Sequence, residues 1–169
     1  MALKGLVVLC IIFVAGSLSA QTKTTDALQK SHVDGLAFYF YNNTLRMLNQ
    51  SEDKSFDELI SNIEKMKFLI ITKGAAFGPT QYKSLKSGYK SESFEEIMSS
   101  RYQGRNFDVF LKDKNGKTEG MVVTVNDSTS LYVLDIVGSI ALDKVTSLFK
   151  SLDESTDLGK KIKDFVKKD

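Results

Sequence analysis

The sequence has very few of the residues on which most catalytic and metal centres depend. It contains one cysteine, one histidine, one proline and no tryptophan. The cysteine, Cys10, lies inside an apolar run near the N-terminus, so the chain beyond that run has no thiolate ligand and no disulfide. With His32 as the sole histidine, a zinc site would need mostly carboxylates, which is unusual. These absences predict no catalytic triad, no metal and no cofactor.

The chain also lacks a large excess of charge of one sign. Lysine and arginine together number 23, against 21 aspartates and glutamates, and arginine occurs only at Arg46, Arg101 and Arg105. Nucleic-acid binding normally needs a concentrated basic face. The balance therefore argues against a nucleic-acid partner.

The N-terminus has the organisation of a secretory signal. Lys4 precedes an apolar run over residues 6–15, and small residues follow as far as Ala20. The run is shorter than the roughly 20 apolar residues of a membrane-spanning helix. We expect residues 1–20 to be a signal peptide, cut after Ala20 or Ser19, and the mature protein to be periplasmic or secreted. Cys10 lies in the middle of the run, so it does not mark a lipoprotein, and an uncleaved anchor is the alternative.

Residues 21–34 are polar without clear periodicity, which predicts a flexible N-terminal tail that leaves His32 in solvent. Residues 35–169 are then expected to form one domain. Alternating aromatics predict a strand over residues 36–41. Apolar residues at helical spacing from Phe56 to Met66 predict a helix, followed by a short buried strand over residues 68–71.

A second helix is predicted where Ser93 and Glu96 resemble a capping box, with an apolar face of Phe94, Ile97 and Met98. Further helices are predicted over residues 80–87, 142–152 and 158–166. The last has lysines around its apolar stripe. We expect it to pack on the domain, and weak contact with a membrane surface is the alternative.

Asn115-Gly116 predicts a two-residue hairpin turn in which both residues have positive φ. Pairing across it places Lys112 opposite Glu119 and Val109 opposite Val122. A third strand over residues 131–137 ends at Gly138. The order of elements predicts an α+β fold with a single, largely antiparallel sheet of about five strands and helices mainly on one face.

The segment from Tyr132 to Val145 reads YVLDIVGSIALDKV: an apolar strand, a glycine, and an apolar-x-Leu-Asp entry to a helix. It resembles the C-terminal signature of DUF4252, a domain of unknown function in small exported proteins of Bacteroidota. The order of elements from Leu36 to Leu152 is also similar. The resemblance implies a Gram-negative envelope or secreted setting, and it supplies no catalytic residues. Many members look like lipoproteins, whereas this sequence has no cysteine at the signal-peptide exit.

Five residues are candidates for a functional surface: Tyr39, Tyr41, Asp135, Arg101 and Arg105. Asp135 interrupts an apolar strand face, so it needs an arginine partner, backbone N–H donors or an opening to solvent. The two tyrosines share a strand face, where burial in a helix–sheet core is favoured over an exposed binding platform.

The leading hypothesis is a non-catalytic module that binds an envelope protein or ligand. The alternative is a small hydrolase of envelope polymers that uses two carboxylates, nominated as Glu95 with Glu96 or Asp108 with Asp113. Two acidic groups converging in a cleft would favour the alternative.

Overall fold

Six antiparallel strands form one sheet in the computed structural model, which describes residues 21–48, 52, 54–74, 77–102, 104–141 and 144. The strands are β1 (Leu36–Tyr41), β2 (Ile63–Thr72), β3 (Glu95–Tyr102), β4 (Arg105–Lys114), β5 (Lys117–Asn126) and β6 (Ser130–Gly138). Their order across the sheet is β1-β2-β6-β5-β4-β3. The chain therefore crosses from β2 to the far edge at β3 and returns as a meander.

Four helices accompany the sheet in the described residues: α1 (Lys23–Ser31), α2 (Asn42–Leu48), α3 (Lys54–Ile60) and α4 (Pro79–Ser91). The predicted α+β class with one antiparallel sheet is confirmed, with six strands instead of about five. The helices, expected mainly on one face, are divided between the two faces. Leu28 of α1 and Leu85 of α4 share one core cluster, and Leu45 of α2 and Leu59 of α3 share the other.

Alternation along the strands supplies each cluster with its side chains. Phe68 of β2 packs with the α2 and α3 residues, whereas the next residue, Leu69, packs with the α1 and α4 residues. Both faces of the central strands are consequently apolar. The α1/α4 face differs because it also buries polar groups: Lys67, Asp108, Thr124 and Asp135 are each at most 2% exposed.

The predicted tail at residues 21–34 is wrong, because α1 occupies most of it and packs on the sheet. The Thr22 hydroxyl caps the helix by accepting from the backbone N–H of Thr25, 3.1 Å away. Glu92, at the end of α4, accepts the N–H groups of Lys23 and Thr24 at 2.9 and 2.7 Å. The free backbone N–H groups at the start of α1 thus find their acceptor on another element, and sequence periodicity cannot reveal such a contact.

One predicted helix is partly a strand and another is a strand from Glu95 onward, and in both a β-bulge changes the residue spacing. The helix expected from Phe56 to Met66 ends at Ile60, and β2 begins at Ile63. The register shifts between Ile63 and Lys65, so Ile63 and Met66 reach the same core cluster despite their odd spacing. Three-residue apolar spacing is also a helical signal, which explains the error.

β3 replaces the helix predicted from Ser93, and it has a similar bulge between Glu96 and Met98. Ser93 is not a helix cap: it follows α4 with a φ of 67°, in the left-handed region. The helix predicted over residues 80–87 is confirmed, but α4 continues through Gly88 to Ser91. Gly88 lets α1 approach closely, since a Cβ there would lie 2.8 Å from Cγ2 of Thr24.

The hairpin turn is confirmed, with φ of 54° at Asn115 and 74° at Gly116. Its predicted register is wrong by one residue. A bulge between Lys112 and Asp113 pairs Lys112 with Gly120 and Val109 with Val123.

The strands predicted over residues 36–41 and 131–137 are confirmed. The predicted signal peptide and the helix predicted over residues 158–166 lie outside the described residues, as does the helix predicted over residues 142–152 apart from residue 144. Within the described residues, no helix is long and apolar enough to cross a membrane.

Candidate functional site

An open cleft of about 920 Å³ lies between α4 and the outer strands β3 and β4. Phe77, Gly78 and Pro79 form one end, where α4 begins. The cleft has two acidic and five basic lining residues: Glu96, Asp108, Lys73, Lys83, Lys86, Lys90 and Arg101. The volume is at the upper end of the range for small-molecule sites, roughly 300–1,000 Å³.

Asp108 on β4 is the centre of the hydrogen-bond network at the base of the cleft. Its Oδ1 accepts from Nζ of Lys86 at 2.9 Å and from the Ser99 hydroxyl at 2.6 Å. Its Oδ2 accepts from the Tyr82 hydroxyl, which also lies 2.8 Å from the hydroxyl of Thr124. Burial opposes ionisation of Asp108, but the bonds from Ser99, Tyr82 and Lys86 outweigh it and lower the pKa of the carboxyl.

Glu96 joins the same network through the lysines of α4. Nζ of Lys86 lies 2.5 Å from Oε1 of Glu96, and Nζ of Lys90 lies 2.6 Å from Oε2. These two bonds lower the pKa of Glu96. The pKa of Lys86 is raised, because its bonds to Glu96 and Asp108 outweigh the effect of burial. Lys86, Glu96 and Asp108 are therefore all charged at neutral pH.

This charge pattern limits the chemistry of the cleft. A glycosidase pair needs one carboxyl with a raised pKa that can donate a proton. Asp108 and Glu96 both have lowered pKa values, and Lys86 lies between them. Burial and the bond to Asp108 raise the pKa of the Tyr82 hydroxyl, so it remains protonated. In the described residues, no group of three or more His, Cys, Asp or Glu side chains could hold a metal.

Three further cations at the cleft leave positive charge that the two carboxylates do not neutralise. Lys73 donates to Oδ1 of Asn126 at 3.0 Å and to a backbone carbonyl, both uncharged acceptors. Lys83 and Arg101 are exposed, and neither forms an ion pair with another described residue. The mouth of the cleft is therefore cationic.

Residues 30–148 match the family described as a domain of unknown function, DUF4252. The chain belongs to the DUF4252 family. The match spans every strand of the sheet and the whole of α4, so the cleft lies inside the family's domain. No curated protein and no solved structure matches the chain.

Asp135 occupies a second, drier site of this DUF4252 protein, beneath α1. It is 1% exposed, and its Oδ2 accepts the Thr22 backbone N–H at 3.0 Å and the Thr22 hydroxyl at 2.8 Å. The prediction that Asp135 accepts a backbone N–H is thus confirmed, and the alternative prediction of an arginine partner is wrong. Lys67 is the nearby cation, but its Nζ bonds Asp26. Burial outweighs these contacts and raises the pKa of Asp135.

The remaining predicted residues do not converge on one site. Tyr39 and Tyr41 are 46% and 55% exposed on the edge strand β1, so burial in the core was the wrong expectation. Lysine side chains lie over both rings, and the Tyr39 hydroxyl donates to Gln29. Arg101 lines the cleft, and Arg105 is exposed at the start of β4. Asp135 lies under α1, away from both.

His32 is half-buried at the end of α1, not in a solvated tail. Its ring lies edge-on to Phe77 at 5.7 Å, and Nδ1 lies 3.0 Å from the backbone carbonyl of Leu28. Asp113 and Glu95, the nominated partners of Asp108 and Glu96, are both exposed and do not line the cleft.

Neither Tyr82 nor Lys86 was predicted as a functional residue from the sequence. Their separation of four residues places them on one side of α4, which is a detectable signal. The partner, Asp108, lies on a strand more than twenty positions away, and only the sheet register brings it under that helix.

Proposed function

We propose that this protein is an exported, non-catalytic binding protein that holds an anionic ligand in the cleft between α4 and the β3–β4 edge. The observation that carries the proposal is the uncompensated positive charge of that cleft. Five basic side chains line it, against two carboxylates that are already bonded to lysines.

The network at the base supports binding because it holds the cations in place. Lys86 is fixed by two carboxylates, and Lys90 is fixed by one of them. A ligand that meets preformed charges loses less conformational entropy than one that must order flexible lysines. Lys83 and Arg101 then provide hydrogen-bond donors at the mouth of the cleft, and neither forms an ion pair with a described carboxylate.

Calorimetric measurement of the binding of an acidic oligosaccharide at several salt concentrations tests this proposal. A neutral oligosaccharide of equal length is the control ligand. We expect Lys83→Glu and Arg101→Glu each to weaken binding of the acidic probe by about tenfold, which corresponds to about 1.4 kcal/mol. Lys54→Glu, an exposed change on α3, is the matched control and should have no effect. Equal binding of the acidic and neutral probes would contradict the proposal.

A carboxylate-dependent hydrolase of envelope polymers is the second candidate function. One observation favours it: Glu96 and Asp108 converge on the same lysine nitrogen in the cleft. The lowered pKa values oppose it, because neither group is available as a general acid. Release of reducing ends from an envelope polymer, abolished by Glu96→Gln and retained in Asp113→Asn, would establish the hydrolase.

A further inference from the structure

The two ends of the cleft differ in how far their cations are neutralised. At the end where α4 finishes, the ammonium groups of Lys86 and Lys90 are bonded to the two carboxylates of the cleft. Toward the start of α4, by contrast, Lys73, Lys83 and Arg101 form no ion pair with another described residue. The positive charge that a ligand meets is therefore concentrated at one end.

The sheet register arranges that end as a row of polar side chains. Arg101 of β3 pairs with Asn106 of β4, which in turn pairs with Asn126 of β5, and all three line the cleft. Lys73 completes the row, because its Nζ donates to Oδ1 of Asn126 at 3.0 Å. The same ammonium lies 5.8 Å from the centre of the Phe77 ring, where α4 begins. The row thus has a cation at each end and two amides between them.

The spacing of the row suits one anionic group. Neighbouring strands lie about 4.8 Å apart, so the Cα atoms of Arg101 and Asn126 are separated by roughly 10 Å. The long arginine side chain can cross much of that gap, and the Lys73 ammonium already lies at the far strand. A carboxylate over Asn106 can therefore reach both cations, and charge-assisted hydrogen bonds of this kind are the strong ones.

The carboxylate next to this row is engaged in its own turn. Asp127 follows Asn126, but its Oδ1 accepts the backbone N–H groups of Thr129 and Ser130 at 2.8 and 2.7 Å. Lys73 contacts Asp127 only through the backbone carbonyl, which has no net charge. Within the described residues, the two cations of the row thus keep their charge for a ligand.

The opposite end of the cleft favours an uncharged group. A second carboxylate beside Lys86 and Lys90 would have to displace Glu96, which already bonds both ammonium groups. The hydroxyls of Ser87 and Ser99 also line the cleft, and each already donates within the protein. A hydroxyl that donates can still accept, so these side chains match the hydroxyl donors of a neutral sugar.

We propose that the cleft binds its ligand in one orientation, with a single anionic group between Lys73 and Arg101 and an uncharged, hydroxyl-rich remainder along α4 toward Glu96. The inference rests on the proposed anion binding. It names the ligand class as a short saccharide with an acidic sugar at one end.

Three linear trisaccharides of the same linkage test this inference by calorimetry: one neutral, one with a single terminal uronic acid, and one made of three uronic acids. We expect the terminal acid to increase affinity by about tenfold over the neutral probe, and the two further acids to add less than about threefold. Equal affinity for all three probes would overturn the proposed function itself. A similar increase with each added acid would overturn only the single acid site, leaving anion binding intact.

Two variants that remove one positive charge from opposite ends of the cleft locate the acid. Arg101→Gln should lower the ratio of single-acid to neutral affinity by about fivefold, whereas Lys90→Gln should lower it by less than about twofold. Thermal melting of both variants confirms that they are folded. Equal reductions would show a diffuse field without a defined acid site, and would overturn the inference.

The side-chain amide signals in NMR spectra give an independent readout of position. The amides of Asn106 and Asn126 should shift on addition of the single-acid probe, and shift less with the neutral one. Asn42 is the internal control, because its amide donates to the backbone carbonyl of Ile63 at 2.8 Å and does not line the cleft. Unchanged Asn106 and Asn126 signals in the presence of bound single-acid probe would place the acid elsewhere and overturn the inference.

Discussion

Asp108 and Asp135 both have almost no exposed side-chain surface on the same face of the sheet, yet their pKa values move in opposite directions. Each is 1% exposed. Asp108 has the ammonium of Lys86 within 2.9 Å as well as two hydroxyl donors, and its pKa is lowered. Asp135 is bonded by Thr22 without a cation in contact, and its pKa is raised.

The difference shows that the partner and the surroundings together set the direction in which the pKa of a buried carboxyl moves: Asp108 lines an open cleft beside an ammonium, whereas Asp135 lies in a drier site without one. Burial disfavours the charged form at both sites. A bonded ammonium on a partly solvated helix reverses this effect at Asp108, whereas a backbone N–H and a hydroxyl do not reverse it at Asp135. The charged site therefore lines an open cleft, and the dry one anchors a helix.

Removal of the charge at Asp108 is expected to have the largest effect on stability. Asp108→Asn leaves Lys86 paired only with Glu96 and places an amide donor near Ser99 or Tyr82. We expect the free energy of unfolding to fall by about 2–3 kcal/mol, as measured by urea denaturation. Asp113→Asn, on the exposed end of the same strand, is the control and should change it by less than about 0.5 kcal/mol.

Gly88→Ala tests how α1 is held over the Asp135 site. The new Cβ would lie 2.8 Å from both Cγ2 and Oγ1 of Thr24, so α1 must shift. Overpacking costs about 1–3 kcal/mol, and the better helix propensity of alanine offsets up to about 1 kcal/mol. We expect a net loss of about 1–2 kcal/mol in thermal or urea unfolding. Gly74→Ala, where a Cβ would contact nothing within 4 Å, is the control.

Asp135→Asn is expected to have a smaller effect on stability than Asp108→Asn, and any change should be in the opposite direction. The asparagine carbonyl can still accept both Thr22 bonds, and the side chain has no charged form for burial to disfavour. At neutral pH we expect the free energy of unfolding to stay unchanged or to rise by at most about 1 kcal/mol. A loss as large as that of Asp108→Asn would show that the two carboxylates are equivalent, contrary to their different partners.

The pH dependence of unfolding gives the smallest effect but distinguishes the two sites by sign. The lowered pKa of Asp108 stabilises the fold above the ordinary aspartate pKa of 3.8, and this contribution is lost as the pH falls through the folded pKa. The raised pKa of Asp135 stabilises the fold below 3.8, and that contribution is lost as the pH rises through its folded pKa.

Difference curves between wild type and each asparagine variant, measured by urea unfolding from pH 3 to pH 7, should therefore slope in opposite directions. Parallel slopes would contradict the assignment of the two pKa shifts.

Much of the fold was predictable, and three of the errors in the predicted elements share one physical cause. The strand at residues 36–41, the Asn115-Gly116 turn and the strand ending at Gly138 follow from alternation and turn chemistry, which are local. A β-bulge coincides with each of three errors: the helix predicted as far as Met66, the helix predicted from Ser93, and the hairpin register that was wrong by one residue. A bulge adds one residue to the strand period, so an apolar strand acquires helix-like spacing or a shifted register.

The candidate site was predictable only in part, because its members come from separate elements. Asp108 and Glu96 were named, but each was given the wrong partner. Asp135 was identified as anomalous from its apolar neighbours, yet its true donor, Thr22, belongs to a segment that reads as a tail. Hydrogen bonds over such sequence separations leave no periodic signal.

The sequence by itself determined the α+β class, the antiparallel meander and the family, because these depend on local patterning along the chain. Only the tertiary structure decided where the bulges fall, that α1 docks through Glu92 and Asp135, and that α4 lies over Asp108. The physical reason is that a buried polar group is stabilised by whichever donor the packing brings within about 3 Å, at any separation in sequence.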